Sequence, residues 1–211
     1  MNQYLSEEFP MGLFSRKPDT ATEAAPVPAA QDLSHLTGIY AIDPTHSEIG
    51  FAVRHAMVTT VRGQFSEYEG KLHLDGGDPS RSTAEVLIKV ASIDTNQEQR
   101  DGHLRTGDFF DAETHPEIAF RSTSAQQLDA ETYRLTGDLT IKGTSKPVSV
   151  DFTLNGSAKD LYGNERVGFE GSTTINRTDW GLTYNAALET GGVLIGEKVK
   201  LTFDISAIKS A

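Results

Sequence analysis

Apolar and polar side chains alternate without a break along the segment Val148-Ser149-Val150-Asp151-Phe152-Thr153-Leu154-Asn155. Successive side chains of an extended strand point to opposite faces, so this segment has one apolar and one polar face. The same period recurs at 49–54, 85–90, 117–121, 134–142, 166–175 and 198–205. Strands with one polar face are typical of antiparallel sheets, because parallel sheets are covered on both faces. The sequence therefore predicts an antiparallel all-β fold.

Turn-forming residues separate the alternating runs. Gly, often with Asp, Asn or Pro, lies at 75–79, 142–145, 162–164 and 190–192. The pattern gives about eight or nine strands, which suits either a sandwich or a barrel. Long strands joined by tight turns favour closure, because closure removes the unpaired edges of a sheet. We therefore predict an antiparallel β-barrel of about eight strands.

One stretch lacks the two-residue period and predicts a short helix. Residues 97–105 contain no β-branched side chain, and Thr95 and Glu98 have the spacing of a capping box at a helix N-terminus. We expect a helix over 97–105 that caps one end of the barrel. Leu104, Phe109 and Phe110 supply an apolar plug at that end.

Composition and charge exclude several classes of function. The chain has 211 residues, with 19 Lys and Arg against 30 Asp and Glu, and a formal net charge of −11. This acidic balance disfavours nucleic acid and anionic membrane surfaces as main partners. The lack of cysteine excludes thiolate metal sites and a cysteine nucleophile. No apolar run approaches the roughly 18–20 residues of a membrane-spanning helix, so no transmembrane segment is predicted.

The N-terminal part of the chain has a different composition from the rest. Residues 18–31 are rich in Ala, Pro, Thr and Glu, which bury too little surface to fold. We expect residues 1–36 to form a disordered tail and residues 37–211 to form the barrel domain. Residues 1–10 have no basic patch followed by an apolar run, so we predict no signal peptide and a cytoplasmic location.

A series of short motifs runs through the predicted domain. They are Asp43-Pro44-Thr45-His46-Ser47, Val61-Arg62-Gly63-Gln64-Phe65, Ala91-Ser92-Ile93-Asp94-Thr95, Arg100-Asp101-Gly102-His103-Leu104, Gly107-Asp108-Phe109-Phe110-Asp111, His115-Pro116-Glu117-Ile118, Gly137-Asp138-Leu139-Thr140-Ile141-Lys142-Gly143 and Ile175-Asn176-Arg177-Thr178-Asp179-Trp180-Gly181-Leu182. In this order, across about residues 38–208, they resemble the YceI-like family of polyisoprenoid-binding proteins. The resemblance implies a lipocalin-like barrel that holds a long isoprenoid chain, and a homodimer. Many relatives carry a periplasmic signal peptide, and this sequence departs from them.

The apolar faces of the strands give the candidate ligand-binding set. An apolar chain that enters the barrel gains about 0.8 kcal/mol per methylene removed from water. The alternative is that the same faces form a packed core. The candidate ligand-binding residues are Phe51, Val53, Ile88, Val90, Phe109, Phe120, Leu139, Ile141, Val150, Phe152, Phe169, Arg177, Leu201 and Phe203.

Two charged pairs, Arg100-Asp101 and Arg177-Thr178-Asp179, have two interpretations. They can form ion pairs across one end of the barrel, or Arg177 can bind a phosphate or quinone oxygen at the head of a lipid. Apart from a bound isoprenoid lipid or quinone, we expect no cofactor.

Catalytic and metal-binding arrangements are weakly represented. The spacings of His46, His55, His73, His103 and His115 do not suit a zinc or iron site. A Ser-His-Asp set from His46, Ser47 and Asp101 lacks the Gly-x-Ser-x-Gly motif of a nucleophile elbow. We therefore predict a non-catalytic lipid carrier. The alternatives are an enzyme acting on a small hydrophobic substrate in the same barrel, and a structural or protein-binding module.

Overall fold

The computed structural model of the chain describes residues 33–187, 191 and 193–210. The described chain is almost entirely β-structure, with one α-helix, α1 (Glu98–Arg105). The strands are β1 (Gly38–Ile42), β2 (Glu48–His55), β3 (Thr59–Phe65), β4 (Tyr68–Leu74), β5 (Thr83–Lys89), β6 (Ile93–Asp94), β7 (Glu117–Gln127), β8 (Thr132–Ile141), β9 (Thr144–Lys159), β10 (Glu165–Asn176) and β11 (Ile195–Lys209). Short 3-10 turns lie at Ser34–Leu36, Pro44–His46, Pro79–Arg81, Val90–Ser92 and Arg177–Trp180.

Eight strands of the described chain close into a ring. The order around it is β1, β4, β5, β7, β8, β9, β10 and β11, with antiparallel neighbours, and β1 pairs with β11 to close it. Strands β2, β3 and β6 continue the sheet at one end, where β2 pairs with the first part of β11. The prediction of an antiparallel, lipocalin-like barrel of about eight strands with one short helix is confirmed.

Helix α1 lies where it was predicted, but its N-terminus is capped differently. The N-cap is Gln97, whose side chain accepts the Arg100 backbone N–H. Thr95 instead donates both its backbone N–H and its hydroxyl to the buried carboxylate of Asp101. The predicted Thr95–Glu98 capping box is therefore wrong, because the Thr95 hydroxyl donates to Asp101 and accepts from the Arg100 guanidinium, while Gln97 takes the N-cap position.

A second apolar cluster closes the barrel at the end away from α1. Leu36 is 6 % exposed and packs with Tyr40, Leu72 and Val167, and the Tyr40 hydroxyl donates to the Leu36 carbonyl at 2.9 Å. Residues 33–36 therefore belong to the barrel, and the expected tail boundary after residue 36 is corrected. Residues 1–32 of that expected tail lie outside the described residues.

An ion-pair cluster fixes the break between β1 and β2. Arg166 on β10 donates to Asp43 at 2.7 Å and to Asp160 at 2.9 Å. The Thr45 hydroxyl and then the Arg166 guanidinium hold the pKa of Asp43 well below its usual range. The cluster joins the β1–β2 break to the β9–β10 turn, so it holds the ends of distant strands in register.

No helix within the described ranges is long and apolar enough to cross a membrane.

Candidate functional site

A cavity of about 720 Å³ runs along the inside of the barrel, and all eight strands of the ring contribute to its wall. One end, called here the α1 end, is formed by His55, His103 and Leu194. The other, called the Gly76 end, is formed by Leu33 and Gly76. A barrel of eight strands is at the size where side chains either fill the interior or leave room for one ligand. This barrel leaves room.

The structure brings most of the predicted site residues together on the cavity wall. Val90 is the exception, because β5 ends at Lys89 and the two-residue period does not continue into the Val90–Ser92 turn. Val90 is 1 % exposed and belongs to the packed core beside the cavity. The predicted residues on the wall are Phe51, Val53, Ile88, Phe109, Phe120, Leu139, Ile141, Val150, Phe152, Phe169, Arg177, Leu201 and Phe203.

Three phenylalanine rings on the cavity wall lie over glycines of neighbouring strands, where a larger residue would push them into the cavity. A Cβ at Gly63 would lie 2.5 Å from the Phe51 ring, and one at Gly171 would lie 2.6 Å from the Phe152 ring. Phe120 lies in the same way 2.6 Å from such a Cβ at Gly137. Each ring therefore covers a neighbouring glycine along the wall, an arrangement that also shields exposed strand backbone.

An aromatic cluster lies at the α1 end. His103, Phe109 and Tyr184 are mutually in contact, with ring centroids 4.9–5.1 Å apart. Leu104 and Phe110, predicted with Phe109 to plug this end, also line the cavity there. Sequence reasoning missed Tyr184, because the loop that carries it has neither a strand nor a helix period.

Arg177 lies in the cavity wall near the α1 end and is 5 % exposed. Its guanidinium donates to the backbone carbonyls of Gly196 at 3.0 Å, Ile195 at 3.3 Å and Leu182. Burial lowers the pKa of Arg177, and the nearby charge of Glu197 opposes this shift. Three acceptors leave two of its five N–H groups for other partners.

The two charged pairs do not meet across the end of the barrel. Arg100 donates to the Thr95 hydroxyl at 2.7 Å and to the Thr95 carbonyl at 2.8 Å. The Asp101 carboxylate is taken up by the same Thr95. Among the described residues, Arg177 forms no ion pair with Asp101 or with Asp179. The interpretation that the two pairs meet across the end of the barrel is therefore wrong, because Thr95 binds both Arg100 and Asp101, and backbone carbonyls bind Arg177.

Charged side chains on the cavity wall are distributed unequally between its ends. Arg54, Arg100 and Arg177 lie at the α1 end, with His55 and His103, whereas Arg134 lines the Gly76 end and is neutralised there by its ion pair with Asp151 at 2.7 Å. Asp75, at the Gly76 end, is the single acidic residue among the described residues that line the cavity, and it is paired with Arg81 at 2.6 Å. The α1 end is therefore a cationic rim above an apolar bore.

The residues considered for catalysis lie apart. His46 bonds to Asp43 at 2.7 Å, whereas the Ser47 hydroxyl donates to the Ser206 carbonyl at 3.1 Å and Asp101 is held by Thr95. The Ser-His-Asp set from the sequence is not assembled. Across the part of the chain that the structure describes, no group of three or more His, Asp or Glu side chains is placed to hold a metal ion.

The fold agrees with comparisons to known proteins. The model of the YceI-like domain matches residues 40–207. The chain belongs to the YceI-like family. A UPF0312 protein of Staphylococcus epidermidis is 39 % identical over 166 residues, which are 78 % of this chain and 93 % of that relative. The resemblance found in the sequence motifs is confirmed.

Two solved structures extend the comparison within the YceI-like fold. A YceI protein of Campylobacter jejuni, with 29 % identity, superimposes with a TM-score of 0.65 over 75 % of this chain and 90 % of that one. A polyisoprenoid-binding domain from Saccharophagus degradans, with 15 % identity, superimposes with a TM-score of 0.60 over 81 % of this chain and 98 % of that one. At that identity the second match supports the fold alone.

Proposed function

We propose that the protein binds one long-chain isoprenoid lipid or isoprenoid quinone inside the barrel, for transport, storage or sequestration. The observation that carries the proposal is the apolar cavity of about 720 Å³ that runs from Leu33 to α1. At about 30 Å³ per water-sized group, it has room for about 24 such groups, or roughly five five-carbon isoprene units. Membership of the YceI-like family and the polyisoprenoid-binding domain of the same fold support this ligand class.

The uneven charge of the cavity wall supports an orientation for the ligand. A quinone oxygen or phosphate is an acceptor, so it belongs beside Arg100 and Arg177 at the α1 end. The apolar chain then extends towards Leu36 at the Gly76 end. Arg177 can contribute because two of its N–H groups remain after its backbone bonds.

Binding without catalysis fits this wall better than an enzyme does. A catalytic barrel needs a nucleophile or general base within hydrogen-bond reach of its partner inside the cavity. Of the described histidines, His55 and His103 line the cavity, and His103 is paired with Asp108 at 2.9 Å and packed on Phe109. Among the described residues, the imidazole of neither histidine bonds to a Ser, Thr or Tyr hydroxyl that it could activate as a nucleophile.

Extraction of the purified full chain with organic solvent, followed by mass spectrometry, tests the proposal. The expected result is one isoprenoid lipid in a fixed ratio to protein, seen also as a mass shift in native mass spectrometry. Recovery of no lipid, together with failure to take up an added prenyl lipid, contradicts it. Turnover of the extracted lipid by the protein would instead favour the enzyme.

A further inference from the structure

The β2–β3 turn presents two apolar side chains to solvent at the α1 end of the cavity. Met57 is 62 % exposed and Val58 is 75 % exposed. The Val58 N–H donates to the His55 carbonyl at 3.2 Å, and Ala56 and Met57 have φ of 49° and 63°. Turns with two such residues ordinarily use Asn or Gly. The chain thus holds a methionine at the tip in spite of backbone strain.

The turn is joined firmly to the rim of the cavity. The Ala56 N–H donates to the Leu194 carbonyl at 2.7 Å, and Arg54 donates to the Met57 carbonyl at 3.2 Å. Val193, next to Leu194, is 40 % exposed. Because Leu194 and Arg54 also line the cavity, the exposed apolar tip is continuous with the cavity wall.

Positive charge surrounds this tip although the whole chain carries −11. Arg62, Lys198 and Lys200 lie exposed on β3 and β11 beside Arg54. The register places Arg62 and Lys200 on either side of Ala52 of β2. Near the turn, Glu197 on β11 is the one exposed acidic residue that the structure describes on these strands.

The α1 side of the same rim carries Glu98 and Asp108, so it is less positive. Exposed apolar side chains ringed by Lys and Arg are the features by which proteins bind the surface of an anionic bilayer. Charges more than about 8 Å from that surface are largely screened at physiological ionic strength. The cations beside the turn therefore attract the bilayer, and the acidic residues on the rest of the protein repel it only weakly.

We propose that the β2–β3 turn docks the protein on an anionic lipid bilayer, with the α1 end of the cavity facing the membrane. Met57 and Val58 enter the headgroup boundary, and Arg62 and Lys200 contact the lipid phosphates. In this orientation an apolar chain passes between bilayer and barrel without crossing water. The inference goes beyond the proposed function, and vesicle binding tests it without any cavity ligand.

The test is co-sedimentation of the full chain with vesicles of phosphatidylcholine alone and of phosphatidylcholine mixed with phosphatidylglycerol. We expect binding to the mixed vesicles that weakens as salt rises, and little binding to phosphatidylcholine. The double variant M57E/V58E should bind at least about tenfold more weakly. The matched control is L161E/Y162E, because Leu161 and Tyr162 are 102 % and 91 % exposed on the β9–β10 turn at the opposite end of the barrel.

A second double variant, R62E/K200E, separates charge from apolar insertion. It should lose binding to mixed vesicles, while its melting temperature stays at the wild-type value because both side chains are exposed. Failure of the wild-type protein to bind mixed vesicles at low salt overturns the proposal. So does equal loss in M57E/V58E and L161E/Y162E. A protein partner that needs Met57, found where vesicles do not bind, overturns it as well.

Discussion

Replacement of Ile88 by tryptophan narrows the cavity from within its wall. Ile88 is 8 % exposed and lies on the wall one residue before the end of β5, paired with Tyr68 and Ile118. Tryptophan adds about six non-hydrogen atoms, and at about 0.8 kcal/mol per buried methylene the displacement of as many chain carbons costs about 5 kcal/mol. Since about 1.4 kcal/mol is tenfold in Kd, the upper limit exceeds a thousandfold. A flexible chain can shift along the bore, so we expect at least about a hundredfold weaker binding.

The matched control is Leu87→Trp, one residue away on the same strand. Leu87 faces outward and is 36 % exposed, so the same added bulk enters solvent and not the cavity. The assay is the amount of lipid extracted per protein by mass spectrometry, with circular dichroism and thermal melting to verify folding.

The reasoning is refuted if Ile88→Trp folds, keeps the wild-type melting temperature and retains as much of the same lipid as Leu87→Trp. The lipid would then lie outside the barrel. If Ile88→Trp instead destabilises the protein by about 1–3 kcal/mol and the wild type never contains lipid, the interior behaves as an overpacked core.

Three further predictions concern stability and the ligand head group. Leu36→Ala should lower the free energy of unfolding by about 2–5 kcal/mol, measured by urea denaturation, because it empties a buried site at the Gly76 end; no change would show that residues 33–36 do not pack there. The folded pKa of Asp43 lies below its unfolded value of about 3.9, so its contribution to the free energy of unfolding is full above about pH 4 and is lost as pH falls further. Arg166→Met should therefore destabilise the protein at pH 7 and make its stability fall less steeply below pH 4, as measured by urea denaturation at each pH. Arg100→Met should weaken binding of a prenyl phosphate more than of a prenyl alcohol in fluorescence competition, whereas Arg134→Met at the Gly76 end should change neither affinity. Equal effects of the two variants would contradict the proposed orientation of the lipid, with its head group at the α1 end.

The sequence by itself determined the fold class and most of the cavity wall. Alternation at Val150 and Phe152, and the same period on the other strands, places one face of each strand inward, because side chains alternate strictly along an extended chain. Closure into a ring follows from the turns between long strands. The prediction was wrong at Val90, where the strand ends and the period no longer decides the direction of a side chain.

Only the tertiary structure decided whether the barrel interior is filled. The sequence does not reveal that the Phe51 ring covers Gly63 across two strands, since that contact depends on the register of β2 and β3. It also does not reveal that Arg177 bonds to the backbone carbonyls of Ile195 and Gly196 at the start of β11, or that Tyr184 contacts His103 at the α1 end. These contacts join residues far apart in the chain, and local periodicity carries no information about which loops meet.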